Sequence, residues 1–88
     1  MKMIIAIVRD RDADPVSHAL TSQNFRVTLT ASTGGFLRRG NSSLFMGVED
    51  DKVEEALQII RSNLEPADEP EQKRATIFVL NVNQFIHC

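Results

Sequence analysis

The residues best equipped for chemistry lie between Asn24 and Asn41: Asn24-Phe25-Arg26-Val27-Thr28, then Thr33-Gly34-Gly35-Phe36-Leu37-Arg38-Arg39-Gly40-Asn41. Glycines let the backbone approach a bound group closely, and bare amide N–H groups beside them can cradle a phosphate. Phe36 stands between glycines and arginines, where a purine can stack on it while Arg26, Arg38 or Arg39 meets a phosphate. The same residues also fit a hairpin whose Phe36 and Leu37 tuck into the protein's own core. No Gly-x-x-x-x-Gly-Lys-Ser/Thr run is present, so this is not a Walker phosphate loop.

Other candidate chemistry is thinner. His87 and Cys88 are adjacent but cannot by themselves supply the three or four ligands of a metal site. His18 has Ser22 at i+4 and so no helical ligand partner. Asp10, Asp12 and Asp14 alternate as in a calcium loop but lack its glycine and distal glutamate, so helix capping explains them better. No Ser or Cys with a His partner is readable as an activated nucleophile, and no carboxylate pair sits among the glycines. The expectation is therefore no catalytic residue, no metal and no cofactor. The aromatic pattern of an RNA-recognition sheet is not met by Phe45 and Phe78.

These residues need elements to hold them. Met3 to Val8 is an apolar, β-branched run that predicts a strand. Asp12-Ala13-Asp14-Pro15 predicts a helix start, with Asp as cap and Pro preset in the first turn. Val16, Ala19, Leu20 and Gln23 follow at helical spacing, and Asn24 suits the left-handed residue that closes a helix. Phe25 to Ala31 alternates as a second strand, and Leu44 to Val48 reads as a third. Asp50 or Asp51 is placed to cap a second helix, with Asp51 and Glu54 at capping-box spacing. Val53, Ala56, Leu57, Ile60 and Leu64 form its apolar stripe. Glu65 to Arg74 carries Pro66 and Pro70 and reads as loop, and Ala75 to Val82 as a fourth strand.

The order βαββαβ predicts an α+β, ferredoxin-like domain over 1–88, an antiparallel sheet with two helices on one face. The first strand is apolar on both sides: Met3, Ile5 and Ile7 against Ile4, Ala6 and Val8. The fourth repeats this with Thr76, Phe78 and Leu80 against Ala75, Ile77 and Val79. Two helices cover one face, so the other implies contact with further subunits.

Composition narrows the class. The 88 residues allow one domain, 42% are hydrophobic and 25% charged, and no apolar run reaches a membrane span of about 20 residues. Met1 to Asp10 holds a short apolar run but no small-residue cleavage site before the charged segment that follows, so it is not read as a signal peptide. One cysteine excludes a disulfide scaffold and fits the cytoplasm. The net charge of −2 argues against a general nucleic-acid binder. Residues 1–48 hold six basic and three acidic side chains, whereas 49–88 hold four and nine. The basic half suits an anionic ligand, although ordinary solvated faces would look the same.

The chain resembles the cyclic-di-AMP receptor family of PII-like proteins. The resemblance rests on Met1-Lys2-Met3-Ile4-Ile5-Ala6-Ile7-Val8, Asn24-Phe25-Arg26, Thr33-Gly34-Gly35-Phe36-Leu37-Arg38 and Gly40-Asn41. It continues through Gly47-Val48-Glu49-Asp50-Asp51-Lys52-Val53 and Ala75-Thr76-Ile77-Phe78-Val79. It implies a bacterial, cytoplasmic homotrimer that binds cyclic-di-AMP or a related adenine nucleotide at subunit interfaces and signals through mobile loops to a downstream protein, without catalysis. It further implies that Asn24, Arg26 and Thr28 line the pocket, that Gly35, Phe36 and Leu37 contact the ligand, and that Asn41 and Gly47 complete that side. A neighbouring subunit would add Phe78 and, less securely, the tail around His87. One feature departs: such receptors carry a long loop between the second helix and last strand, where this chain has only 65–74. The alternatives are a small ferredoxin-like hydrolase of acyl phosphates, or a PII-like trimer with a different ligand.

Overall fold

The structure is a computed structural model that describes residues 1–31, 40–66, 74–83 and 86. Its elements are β1 (Lys2–Arg9), α1 (Asp10–Ser22), β2 (Thr28–Ala31), β3 (Asn41–Val48), a short 3-10 turn (Asp50–Lys52), α2 (Val53–Ser62) and β4 (Ala75–Asn81). The strands form one antiparallel sheet in the order β2-β3-β1-β4. This is the βαββαβ order expected from the sequence.

Alternation along the strands decides what is buried. Ile4, Ala6 and Val8 of β1 and Leu44, Met46 and Val48 of β3 are buried in one cluster with Ala13, Val16 and Leu20 of α1 and Ala56 and Ile60 of α2. Both helices thus cover the same sheet face. Val53, Leu57 and Leu64 pack against that cluster from the margin of the α2 stripe. Coverage thins toward the sheet edges: Leu29 on β2 and Val79 on β4 share the register rows of core residues yet stay exposed.

Several boundaries differ from the sequence reading for local reasons. Helix α1 begins at Asp10 rather than after Asp12, and its N-cap residue is Arg9, with no side-chain cap bond. Asp12 is completely buried and paired to Arg9, so it cannot serve as a solvent-facing cap. Pro15 consequently lies inside the helix and removes one backbone bond from its second turn. Asn24 does close this helix, with φ of 70°. Strand β2 is shorter than expected because the Phe25 amide is tied back to the Leu20 carbonyl at 3.1 Å. Phe25 and Val27 still pack on the core from outside the ladder. The Asp51–Glu54 capping box does not form: a 3-10 turn precedes α2, neither aspartate makes a cap bond, and Asp50 instead meets the N-terminal amine at 3.1 Å.

The face away from the helices is apolar, as the double-sided strands imply. In register, Phe45, Ile5 and Phe78 form one cross-strand row, with Thr28 beside Phe45 at its end, and Gly47, Met3 and Leu80 form the next. Met3, Ile5 and Ile7 are half-buried, whereas Phe78 and Leu80 are each 48% exposed and Phe45 is 36% exposed.

Candidate functional site

Two adjoining clefts open where the end of α1 and the start of β2 meet the C-terminal end of β3. The first, of about 500 Å³, is lined by Gln23 to Arg26, Gly47 to Glu49, Lys52 and Glu55. The second, of about 410 Å³, is lined by Met1, Met3, Arg26, Thr28, Phe45, Met46, Gly47 and Val82. Both volumes lie in the range of small-ligand sites, ~300–1,000 Å³. The clefts share Arg26 and Gly47, so these two residues stand at the junction of a two-lobed trough.

Each element contributes by a definite rule. Asn24 adopts the left-handed conformation that ends α1, so the chain turns sharply and Asn24 to Arg26 pass along the first lobe. Thr28 then enters β2 directly opposite Phe45, and a period of two from Phe45 brings Gly47 to the same sheet face. Gly47 exposes backbone where a side chain would otherwise fill the trough. Among the described residues, a Cβ built there meets only the Met1 sulfur, at 3.7 Å.

The two lobes differ in chemistry. The first is polar and of mixed charge: Arg26 and Lys52 are cationic, Glu49 and Glu55 anionic, and Lys52 is paired to Glu55 at 3.5 Å. The second is an apolar surface of Met1, Met3, Phe45 and Val82, with Arg26 and Thr28 supplying polar groups. Arg26 is exposed and makes no ion pair among the described residues. A guanidinium in that state can bind a phosphate without first giving up an internal partner. A flat heterocycle can lie against the apolar lobe.

Of the residues the resemblance implies, the structure brings Asn24, Arg26, Thr28 and Gly47 together. Asn41 stands at the opposite end of β3, six residues from Gly47 and so about 20 Å along the strand. Phe78 lies two strands from Phe45 in the same register row, roughly 10 Å across the sheet. Gly35, Phe36, Leu37 and His87 lie outside the described residues. Phe45, Met1, Met3 and Val82, which line the apolar lobe, escaped the sequence reading as site residues. For Phe45 a signal existed: it stands two residues before Gly47 on an alternating strand, which fixes the face they share. Met1 and Val82 come together through the Val82 amide and the Met1 carbonyl, 3.1 Å apart, a pairing that only the folded sheet creates.

A family model described as "Cyclic-di-AMP receptor" matches residues 1–70. The chain is also similar to a crystal structure titled as that of a functionally unknown protein from Pediococcus pentosaceus ATCC 25745. The two share 38% identity over 99% of this chain and 96% of the other, with a TM-score of 0.78.

Proposed function

The chain belongs to the cyclic-di-AMP receptor family, and from that premise we propose that it is a PII-like signal transduction protein binding cyclic-di-AMP or a related adenine nucleotide. The observation that carries the reading is the two-lobed trough with Arg26 at its junction. A ligand of two nucleoside units joined by phosphates has the matching layout, with bases in the lobes and anionic charge between them. Thr28 and Asn24 offer hydrogen bonds beside that charge, and Gly47 gives close backbone approach. Phe36, with Gly35 and Leu37 from the glycine segment, is assigned the role of stacking on a base.

The functional unit in this reading is a homotrimer with its sites at subunit interfaces. Support comes from the apolar sheet face, where leaving Phe45, Phe78 and Leu80 in water forgoes ~25 cal/mol for each Å² that a neighbour would cover. Closed symmetry lets three copies cover that face in the same way. Phe78 then serves the site of an adjoining copy. The protein binds without turning its ligand over, and the signal passes to a downstream protein through loops at the site. Among the described residues no helix is long and apolar enough to cross a membrane.

Calorimetric titration with cyclic-di-AMP, cyclic-di-GMP and ATP tests this, with light scattering on the same samples. Saturable binding of cyclic-di-AMP at one ligand per chain, in a particle of three chains, is the expected result. Absence of binding by every adenine nucleotide, or steady cleavage of the bound one, defeats the proposal.

A further inference from the structure

A cluster at the junction of β1 and α1 lies outside both clefts. The Asp12 carboxylate, completely buried, accepts hydrogen bonds from Arg9 at 2.8 Å and from the Glu65 amide at 3.1 Å. Arg9 also donates to the Glu65 carbonyl, and Arg11 donates to the Pro66 carbonyl at 3.4 Å. Two residues before Asp12, the Asp10 amide donates to the Gly40 carbonyl at 2.8 Å, and the Asp10 carboxylate accepts from the Ser42 hydroxyl at 2.6 Å. Arg9 faces Asn41 in the β1–β3 register.

One turn of chain therefore grips two places far apart in sequence. Gly40 to Ser42 is where the glycine segment re-enters the sheet. Glu65 and Pro66 are where the chain leaves α2 toward β4. A buried ion pair is an expensive way to join them, because desolvating two charges costs as much as their attraction returns. Arg9 adds to that cost: its side chain is 13% exposed and its Nη1 is buried without a hydrogen-bond partner among the described residues. An apolar junction of the same size would stabilise the fold at least as well. What the polar cluster adds is direction, since each bond fixes one specific backbone group.

We infer that Arg9, Asp10 and Asp12 are positioning residues that couple the root of the glycine segment at Gly40–Ser42 to the chain leaving α2 at Glu65–Pro66. Asp10 reads the first root and Asp12 the second, and the first turn of α1 joins them rigidly. A ligand that shifts Gly40–Ser42 then changes the setting of Glu65, more than 20 residues further on. Only that last statement rests on the proposed nucleotide site; the coupling itself is a property of the free protein. By linkage it must run both ways with equal strength.

Hydrogen–deuterium exchange on the full chain tests both levels, using Ser42→Ala and Asp12→Asn as the two perturbations. In the ligand-free protein, Ser42→Ala should speed exchange of the Glu65 amide about tenfold, and Asp12→Asn should do the same at Ser42 and its neighbours. Amides at the centre of the β1–β4 ladder, such as Ile5 and Phe78, report global opening and should not change. Effects confined to the mutated side in both variants, or a uniform rise across the sheet, overturn the coupling. In the second arm, saturating cyclic-di-AMP should change Glu65 exchange in the wild type and lose that effect in Ser42→Ala. A ligand effect that persists in Ser42→Ala also overturns the coupling. If cyclic-di-AMP fails to bind the wild type at all, the nucleotide reading falls, while the ligand-free arm still decides the coupling.

Discussion

Replacing Gly47 with valine separates the proposed ligand trough from the fold that carries it. Gly47 lies within β3, and among the described residues a Cβ there would be in ordinary contact with Met1 alone, at 3.7 Å. Valine suits a strand, and removing glycine from its interior recovers ~0.5–1 kcal/mol of backbone entropy. The folded protein should therefore stay within about 1 kcal/mol of wild-type stability. The trough is affected differently, because three added carbons occupy the junction of both lobes. Forcing a ligand into a filled site costs ~1–3 kcal/mol, by analogy with overpacked cores. Binding of cyclic-di-AMP should weaken by about 5- to 150-fold. Gly47→Ala adds one carbon and should fall near the lower end. Calorimetry gives the affinity, a thermal melt the stability, and light scattering shows whether the assembly is intact. A valine variant that binds as tightly as wild type, with an unchanged melt, would refute Gly47 as the floor of the site. A variant that no longer folds would refute the space argument instead.

Three further outcomes follow from the same structure. Arg26→Ala should weaken cyclic-di-AMP binding about 10- to 150-fold through loss of a charge-assisted bond, and the salt dependence of binding should flatten with it; unchanged affinity across a salt series would remove Arg26 from the phosphate. Phe36→Ala should cost about 5- to 150-fold in affinity if the ring stacks on a base, with the oligomer intact by light scattering, whereas collapse of the assembly would return Phe36 to the core. Leu80→Glu puts a charge on the apolar sheet face, where Leu80 is 48% exposed in the single chain. It should dissociate the proposed trimer into folded monomers visible in sedimentation, and an assembly that tolerates the charge would exclude that face from the subunit contact.

The elements and their order were legible in the residues alone, because strand and helix periodicities differ and each run bears only one of them. The alternation of Ile4, Ala6 and Val8 with Met3, Ile5 and Ile7 defined both faces of β1. The stripe from Val53 to Leu64 defined the buried side of α2. The family, too, was legible, since Asn24-Phe25-Arg26, the glycine segment and Gly47-Val48-Glu49 are contiguous strings of specific residues. Four of the residues that line the trough, Asn24, Arg26, Thr28 and Gly47, could be read in the same way. Helix starts were less legible. Asp12, Asp50 and Asp51 all resemble caps, and which aspartate caps depends on what else competes for its carboxylate. Asp12 is taken by Arg9 and Glu65, and Asp50 by the N-terminal amine. The apolar lobe and the two-sided cluster at Asp10 and Asp12 emerge only once the chain is folded. Their members, Met1 with Val82 and Asp12 with Glu65, meet because β1 lies between β3 and β4 and α1 follows it without a loop. Contacts across such separations depend on strand register and chain path, and no local pattern of residue types encodes either.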